Sequence, residues 1–261
     1  MSPSHLDGAA QGAGVRRLLP KKAGVEAIVS AGAQTPAPSL EPEKAPCALP
    51  AVVHEVVNPA DAEAVGWICD LLSSGRADLY GQDEADMSLL PTLTRTWMVR
   101  GEQLKVKAPG TNEKRSVSAA VDLSEGAILW RTDEKRCANQ FCATLDQCVQ
   151  RSSARGRLAV LLVDNAKAHR VGKTGIVRRG LDAHSGQVVL AFLPPYSPDL
   201  QPGERLWRQW RPNVTHNHVR DKMDDLQADS DWWLRKMEAN PQAVLQALGP
   251  LVTVQPIHKV A

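Results

Sequence analysis

Apolar residues recur along the middle of the chain at spacings that alternate between strands and helices. Leu158–Val163 is an unbroken apolar run, typical of a central strand that is buried on both faces, and Val188–Leu193 is a second run of this kind. Apolar residues at intervals of three and four predict a helix over Lys135–Val149. With a further strand predicted over Ala77–Gln82, the alternation indicates an α/β fold in which a mixed sheet is flanked by helices.

Further elements are predicted on both sides of this central part. Asn58 and Pro59 are suited to start a helix, which apolar spacing continues to Leu72. Two β-rich runs, Arg115–Val121 and Ala127–Trp130, are joined by a turn and predict an antiparallel pair. A proline-rich turn precedes a late helix that is expected to begin near Gly203.

The two ends of the chain differ from its middle. The first 50 residues are rich in Gly, Ala, Ser and Pro, and five prolines cluster in their second half. Proline fixes its own φ and lacks an amide donor, so a long helix or a central strand is not expected there. We therefore predict a poorly ordered tail or linker over 1–50, with one turn of helix at Val25–Val29. A single folded domain is predicted over 51–250, and a frayed C-terminus over 251–261.

Composition narrows the range of functions. The 261 residues include 31 Lys and Arg against 29 Asp and Glu, so a uniformly basic nucleic-acid-binding surface is excluded and any basic surface must be local. The chain contains no run of about 18 uncharged apolar residues, so a membrane-spanning helix is not expected. Five cysteines, none with the spacing of a zinc site, favour a reduced, cytosolic protein.

Three acidic residues lie near the ends of predicted elements. Asp83 follows the first strand, Asp164 follows the buried strand, and Glu204 lies in the first turn of the late helix. Neighbouring strands would bring Asp83 and Asp164 to one edge of the sheet, and a helix across that edge would add Glu204. Carboxylates this close repel one another unless they share a proton or bind cations, and oxygen ligands suit Mg²⁺ or Mn²⁺. Two such ions about 3.5–4 Å apart promote in-line displacement at phosphorus.

Each of these residues also has an ordinary structural explanation. An aspartate at a strand end is most often a turn or cap residue, and Glu204 would interact favourably with the helix dipole. Alternation along a strand places Asp83 and Glu84 on opposite faces, and it does not say which face lines a site. Asp86 competes for the same role. Residue types and spacing alone therefore leave the site open.

Three segments of the chain resemble the acidic motifs of the insertion-sequence transposases of the IS630/Tc1/mariner superfamily. The third motif is similar to Leu193–Trp207, with its Pro-Tyr-Ser-Pro sequence, and the second to Val163–His169. The first motif is similar to Gln82–Ala85 together with Arg95–Trp97. The motifs occur in the expected order, and the resemblance extends over Leu79–Gly249.

This resemblance implies a ribonuclease-H-like fold and a DDE catalytic triad formed by Asp83, Asp164 and Glu204. It implies two Mg²⁺ or Mn²⁺ ions held by the same residues, with Asp83 between both ions. The implied activity is that of a DNA transposase, in which water cuts the ends of the transposon and the liberated 3′-hydroxyl attacks target DNA. The implied partners are transposon ends, target DNA and a second copy of the chain in a homodimer. The implied location is the cytoplasm of a bacterium, at the nucleoid, without a membrane.

Other residues of the motifs are candidates for supporting roles. Glu84 competes with Asp83, and Asn165 and His169 are expected near the metals or the scissile phosphate. The ordinary alternatives are a helix cap for Asn165 and a surface or core histidine for His169. Between Arg131 and Arg220 there are 15 Lys and Arg against seven Asp and Glu, a local basic excess of the kind that phosphate contacts require. Six of these basic residues are candidate DNA contacts: Lys167, Arg170, Lys173, Arg205, Arg208 and Arg211.

The sequence departs from the family pattern in two respects. No pair of short helices with a basic recognition helix is predicted before the first strand, where relatives carry a helix-turn-helix. In the third motif, Gln201 stands where Asn is usual, and Gly203 stands where an aliphatic or small residue is usual. Two alternatives to an active transposase therefore stay open. One is an inactive or truncated remnant that binds DNA or dimerises, and the other is a nuclease on the same fold.

Overall fold

A six-stranded mixed sheet forms the centre of the protein. The computed structural model describes residues 26–31, 56–58, 60–101, 105–172, 175–195, 197 and 200–249. The strands, in chain order, are β1 (Val56–Val57), β2 (Ala77–Ser88), β3 (Lys114–Asp122), β4 (Ile128–Asp133), β5 (Leu158–Val163) and β6 (Val188–Phe192). Their spatial order is β1-β6-β5-β2-β3-β4. The first four strands in this order are mutually parallel, and β3 and β4 continue the sheet in antiparallel pairing.

Helices cover both faces of this sheet. They are α1 (Ala62–Ser73), α2 (Ala138–Ser153), α3 (Ile176–Ala183), α4 (Pro202–Val214), α5 (Met223–Glu238) and α6 (Pro241–Leu248), with a 3₁₀ turn at Lys167–His169. One hydrophobic core lies between the sheet and α1, α4, α5 and α6, and a second lies between the sheet and α2 and α3. The predicted mixed sheet flanked by helices is therefore confirmed.

The strand that carries the first acidic motif is longer than predicted. β2 pairs with β5 only as far as Gly81, but it continues beside β3 to Ser88. The prediction that Asp83 follows the end of a strand is wrong, because Asp83 lies inside β2 at the point where the pairing with β5 has ended. Leu79 belongs to the first core and Tyr80 to the second, so alternation places Asp83 on the α4 side of the sheet and Glu84 on the α2 side.

The first helix of the domain also differs from its prediction. α1 begins after Asp61 rather than after Asn58, because the Asp61 side chain accepts a hydrogen bond from the amide of Ala64 at 3.1 Å and caps the helix. The late helix begins at Pro202, one residue before Gly203, and it continues past Pro212 to Val214.

Most of the predicted tail over 1–50 lies outside the described residues, as does the predicted frayed end over 251–261. A helical segment at 26–31 is described, close to the predicted turn at Val25–Val29, and it buries Ile28 and Val29 in the first core. Among the described helices, none has both the length and the apolar character that crossing a membrane requires.

Candidate active site

One pocket of about 400 Å³ is lined by all three acidic residues of the predicted triad. It lies beyond the carboxyl ends of β5 and β6, where the parallel part of the sheet ends. Asp83 reaches it from β2, Asp164 from the residue after β5, and Glu204 from the first turn of α4. Three elements that are distant along the chain therefore bring their carboxylates to a single pocket, as expected for an open α/β sheet.

Two glycines allow α4 to lie directly on β2. A Cβ atom added to Gly203 would be 2.5 Å from the Cβ of Asp83, and one added to Gly81 would be 2.9 Å from the Cβ of Pro202. Side chains do not approach this closely, so a larger residue at either position would push the helix away from the strand. Gly203, which departs from the usual motif, is thus what allows the start of α4 to pack against Asp83.

A hydrogen bond from the Gln201 side chain to the backbone of Gln82 connects the start of α4 to β2. The side-chain Nε2 of Gln201 donates to the backbone carbonyl of Gln82 at 2.9 Å, and Gln201 is 5% exposed. In the sequence, Gln201 is recognisable only as a departure from the motif. The two residues are 119 positions apart, and a contact of that span leaves no local pattern in the sequence.

Asp83 is a buried carboxylate with one oxygen bonded and one oxygen open. It is 8% exposed, and its Oδ1 accepts a hydrogen bond from the amide of Glu84 at 2.9 Å. Its buried Oδ2 has no hydrogen-bond partner among the described residues. Burial, followed by the negative charges of Glu204, Glu84 and Asp164, raises the pKa of Asp83 to about 7.

Asp164 has the opposite electrostatic environment. Its side chain is 44% exposed, and its Oδ1 lies 2.7 Å from Nδ1 of His169 and accepts the amide of Ala166 at 2.9 Å. The hydrogen bond with His169 is the largest of the effects that lower the pKa of Asp164. Without a cation, the pocket therefore combines one carboxyl that is protonated up to neutral pH with one that is readily ionised.

His169 is a buried residue between two carboxylates rather than a surface histidine. Its Nε2 lies 2.8 Å from Oε1 of Glu84, and its ring packs against Phe141 with 4.5 Å between the ring centroids. Burial alone would lower the pKa of His169, but the hydrogen bonds and charges of Asp164 and Glu84 outweigh it and raise the pKa to about 9. Glu84 thus faces the α2 side of the sheet and contacts His169, while Asp83 faces the pocket.

The remaining candidates lie around the pocket. Asn165 lines it, and its Nδ2 donates to the carbonyl of Leu193 at 2.6 Å rather than capping a helix. A neighbouring cleft of about 640 Å³ shares this wall and includes Arg170. On the other side, a cleft of about 390 Å³ shares Glu204 and contains two more arginines.

The predicted basic contacts differ in exposure. Arg205 is partly buried and donates to the carbonyl of Leu248, so it has a structural role as well. Arg211 is also partly buried, and Lys173 lies outside the described residues. The exposed candidates are Lys167, Arg170 and Arg208.

The pocket fits a divalent cation in its chemistry but is not closed around one. Within the described residues, no three His, Cys, Asp or Glu side chains converge closely enough to form a ready-made metal cluster. The donor set is nevertheless composed of carboxylate oxygens, which hard cations prefer, and the buried Oδ2 of Asp83 is an open acceptor.

Comparison with known proteins gives one family. Residues 78–227 match the family described as DDE superfamily endonuclease. The chain is 26% identical over 163 residues to the insertion element IS630 uncharacterized 39 kDa protein of Shigella sonnei, which covers 62% of this chain and 44% of that protein. It is 33% identical over 78 residues to the uncharacterized protein y4pE/y4sA of Sinorhizobium fredii, and the aligned region covers 30% of this chain and 52% of that protein. The chain spans about half the length of the curated relatives that it matches.

The fold has a counterpart among solved structures. The Mos1 mariner paired end complex with Mn is similar with a TM-score of 0.51 and 14% identity, over 95% of this chain and 65% of that chain. This likeness confirms the predicted ribonuclease-H-like fold. The family match extends over more than half of the chain and includes the segments that carry the three acidic motifs. The chain therefore belongs to the DDE superfamily endonuclease family.

Proposed function

We propose that this chain is the catalytic domain of a metal-dependent DNA transposase, which cuts transposon-end DNA by hydrolysis and joins the liberated 3′-hydroxyl to target DNA. The observation that carries the proposal is the single pocket shared by Asp83, Asp164 and Glu204. These residues come from three separate elements, and the resemblance of the acidic motifs implies that they form the catalytic triad. A carboxylate site of this kind needs no covalent enzyme intermediate, so it can serve water and a 3′-hydroxyl in turn.

Two divalent cations, Mg²⁺ or Mn²⁺, are the proposed cofactors. Asp83, Asp164 and Glu204 would hold the ions. When bound, the ions lower the pKa of the attacking hydroxyl and neutralise charge on the phosphate. The Oδ2 of Asp83 is buried and has no hydrogen-bond partner among the described residues. This supports the role of Asp83, because a cation would supply the missing partner. Asp83 would release its proton when the cation enters.

DNA is the proposed partner, and the clefts on either side of the pocket support a path for it. Arg170 borders the cleft beyond β6, and Arg208 borders the cleft beside α4. A strand that passes from one to the other would place its phosphates over the three carboxylates. Two transposon ends require two active sites, which supports a homodimer. Action on bacterial DNA supports a cytoplasmic, nucleoid-associated location.

Incubation with labelled transposon-end DNA and Mn²⁺ tests the proposal. Joined products are the expected result. Nicked DNA without joining would favour the nuclease, and binding without cleavage would favour the inactive remnant. Asp164→Asn should abolish cleavage and leave DNA binding intact. The matched control is Asp86→Asn, on the same sheet but with a side chain 63% exposed and paired with Arg136, which should cut DNA like the wild type.

A further inference from the structure

A buried imidazole connects the catalytic pocket with the opposite face of the sheet. The ring of His169 has Asp164 at 2.7 Å from one nitrogen and Glu84 at 2.8 Å from the other. The His169 side chain is fully buried, and the Glu84 side chain is 2% exposed. A carboxylate accepts hydrogen bonds, so a ring placed between two carboxylates donates from both nitrogens. Glu84 and Asp164 are thereby joined through one rigid group.

The link reaches both the side chain and the backbone of Asp164. Nδ1 of His169 lies 2.7 Å from Oδ1 and 3.3 Å from the backbone carbonyl of Asp164, and Oδ1 also accepts the amide of Ala166 at 2.9 Å. These contacts restrict the orientation of the carboxylate of Asp164 at the pocket that it lines. Asp164 is on a segment between a strand and a 3₁₀ turn, and its side chain is 44% exposed. Without these donors it would be free to change rotamer.

The other end of the link is anchored inside the protein. Oε1 of Glu84 also accepts from Nε2 of Gln82 at 2.7 Å, and the same Nε2 donates to the Ser118 hydroxyl on β3 at 3.2 Å. The ring of Phe141, from α2, packs against the imidazole at 4.5 Å. The position of His169 is therefore set by groups from the strand β2, the strand β3 and the helix α2.

We propose that Glu84 is a positioning residue that acts through His169 to hold Asp164 in the orientation that binds a divalent cation. Glu84 contacts neither the cation nor the DNA. This inference rests on the proposed function only in taking Asp164 as a cation ligand. Hydrogen-bonded partners behind a metal ligand typically contribute about 10–100-fold to metal affinity, so loss of the link should weaken Mn²⁺ binding by about that factor.

Mn²⁺ binding to the whole protein, without DNA, tests the proposal by the electron paramagnetic resonance signal of free Mn²⁺. Glu84→Leu removes the acceptor while keeping an apolar group of similar size, and it should weaken Mn²⁺ binding by about 10-fold or more. Glu84→Gln keeps an acceptor oxygen and should recover an affinity close to that of the wild type. His169→Gln cannot bridge both carboxylates, so it should weaken Mn²⁺ binding as Glu84→Leu does. If circular dichroism shows that Glu84→Leu is unfolded, His169→Gln takes its place in the test.

A double-mutant cycle separates positioning from a general effect on the fold. In the Asp164→Asn background, Glu84→Leu should no longer change Mn²⁺ affinity, because the group that it positions is gone. An equal loss of affinity in both backgrounds would overturn the proposal, as would unchanged affinity in a folded Glu84→Leu or His169→Gln protein. If the coupling is found but the wild type cuts no DNA, the proposed function fails and the positioning role stands.

Discussion

Replacing Asp83 with Asn should stabilise the metal-free protein, although it removes a proposed catalytic group. In the folded chain, burial and then the charges of Glu204, Glu84 and Asp164 raise the pKa of Asp83 from 3.8 to about 7. In the unfolded chain the carboxyl keeps its ordinary pKa. Between these two values the folded protein holds a proton that the unfolded chain has lost. The contribution of Asp83 to the free energy of unfolding therefore decreases as the pH rises through this range and is lowest above pH 7.

The magnitude follows from the width of the range. The rise in the pKa of Asp83 from 3.8 to about 7 lowers the free energy of unfolding above neutral pH by about 4 kcal/mol. Between pH 5 and pH 7 the unfolding free energy decreases by about 1.4 kcal/mol per pH unit, which gives about 3 kcal/mol. Asn has nearly the same shape, so its contact with Gly203 is unchanged, and it has no proton to lose. The stability advantage of Asp83→Asn over the wild type should therefore grow by about 3 kcal/mol from pH 5 to pH 8.

Urea unfolding in EDTA at pH 5 and pH 8, followed by tryptophan fluorescence, measures this difference. Asp164→Asn is the control of opposite sign. Because the hydrogen bond with His169 lowers the pKa of Asp164, that carboxylate stabilises the fold above its ordinary pKa, and the stabilisation is lost as the pH falls. Asp164→Asn should therefore be less stable than the wild type at pH 8. An Asp83→Asn protein that is less stable than the wild type at pH 8, or whose advantage is independent of pH, would refute the reasoning.

Three further predictions concern the helix contact, the DNA path and the cation. Gly203→Ala places a Cβ 2.5 Å from that of Asp83, so it should lower stability in urea by about 1–3 kcal/mol and abolish cleavage. The control is Gly66→Ala, whose added Cβ would have nothing within 4 Å and should stabilise the protein by about 0.5–1 kcal/mol. Equal stability changes would contradict the close packing of α4 on β2. Arg170→Ala or Arg208→Ala should weaken DNA binding measured by fluorescence anisotropy. Each should also reduce the slope of log affinity against log salt concentration by about one, and an unchanged slope would exclude a phosphate contact. Removal of divalent cations with EDTA should stop cleavage without unfolding the protein, and cleavage that persists in EDTA would exclude the metal mechanism.

The bounds of the apolar strand β5 could be predicted from the sequence, whereas the full length of β2 could not. β5 occupies the predicted residues Leu158–Val163, because both of its faces are buried and every position is apolar. β2 was predicted to end at Gln82, where polar residues begin, yet it continues to Ser88. Its polar side chains are stabilised by partners on other elements, as Gln82 is by Ser118, and a local pattern does not contain those partners.

The three acidic residues of the site could be predicted from the resemblance to the family. Which face of β2 lines the site, and which residues contact one another around it, could not. The motifs indicated which three acids would meet, but alternation along β2 could not say whether Asp83 or Glu84 faces them. The packing of α4 on the Gly81 face determines this, since Asp83 lies on the same face. The contact between Glu84 and His169 spans 85 positions, so it leaves no spacing in the sequence from which it could be inferred.

The most direct test of the central claim is the position of Mn²⁺ bound to the protein. Anomalous diffraction at the manganese edge, from crystals of the protein with transposon-end DNA grown in MnCl₂, locates the ion without assumptions about mechanism. We expect anomalous peaks in the pocket, bonded to carboxylate oxygens of Asp83, Asp164 and Glu204. Mn²⁺ bound only elsewhere, or a pocket without a peak at Mn²⁺ concentrations that support DNA cleavage, would contradict the claim that these three carboxylates form the catalytic metal site.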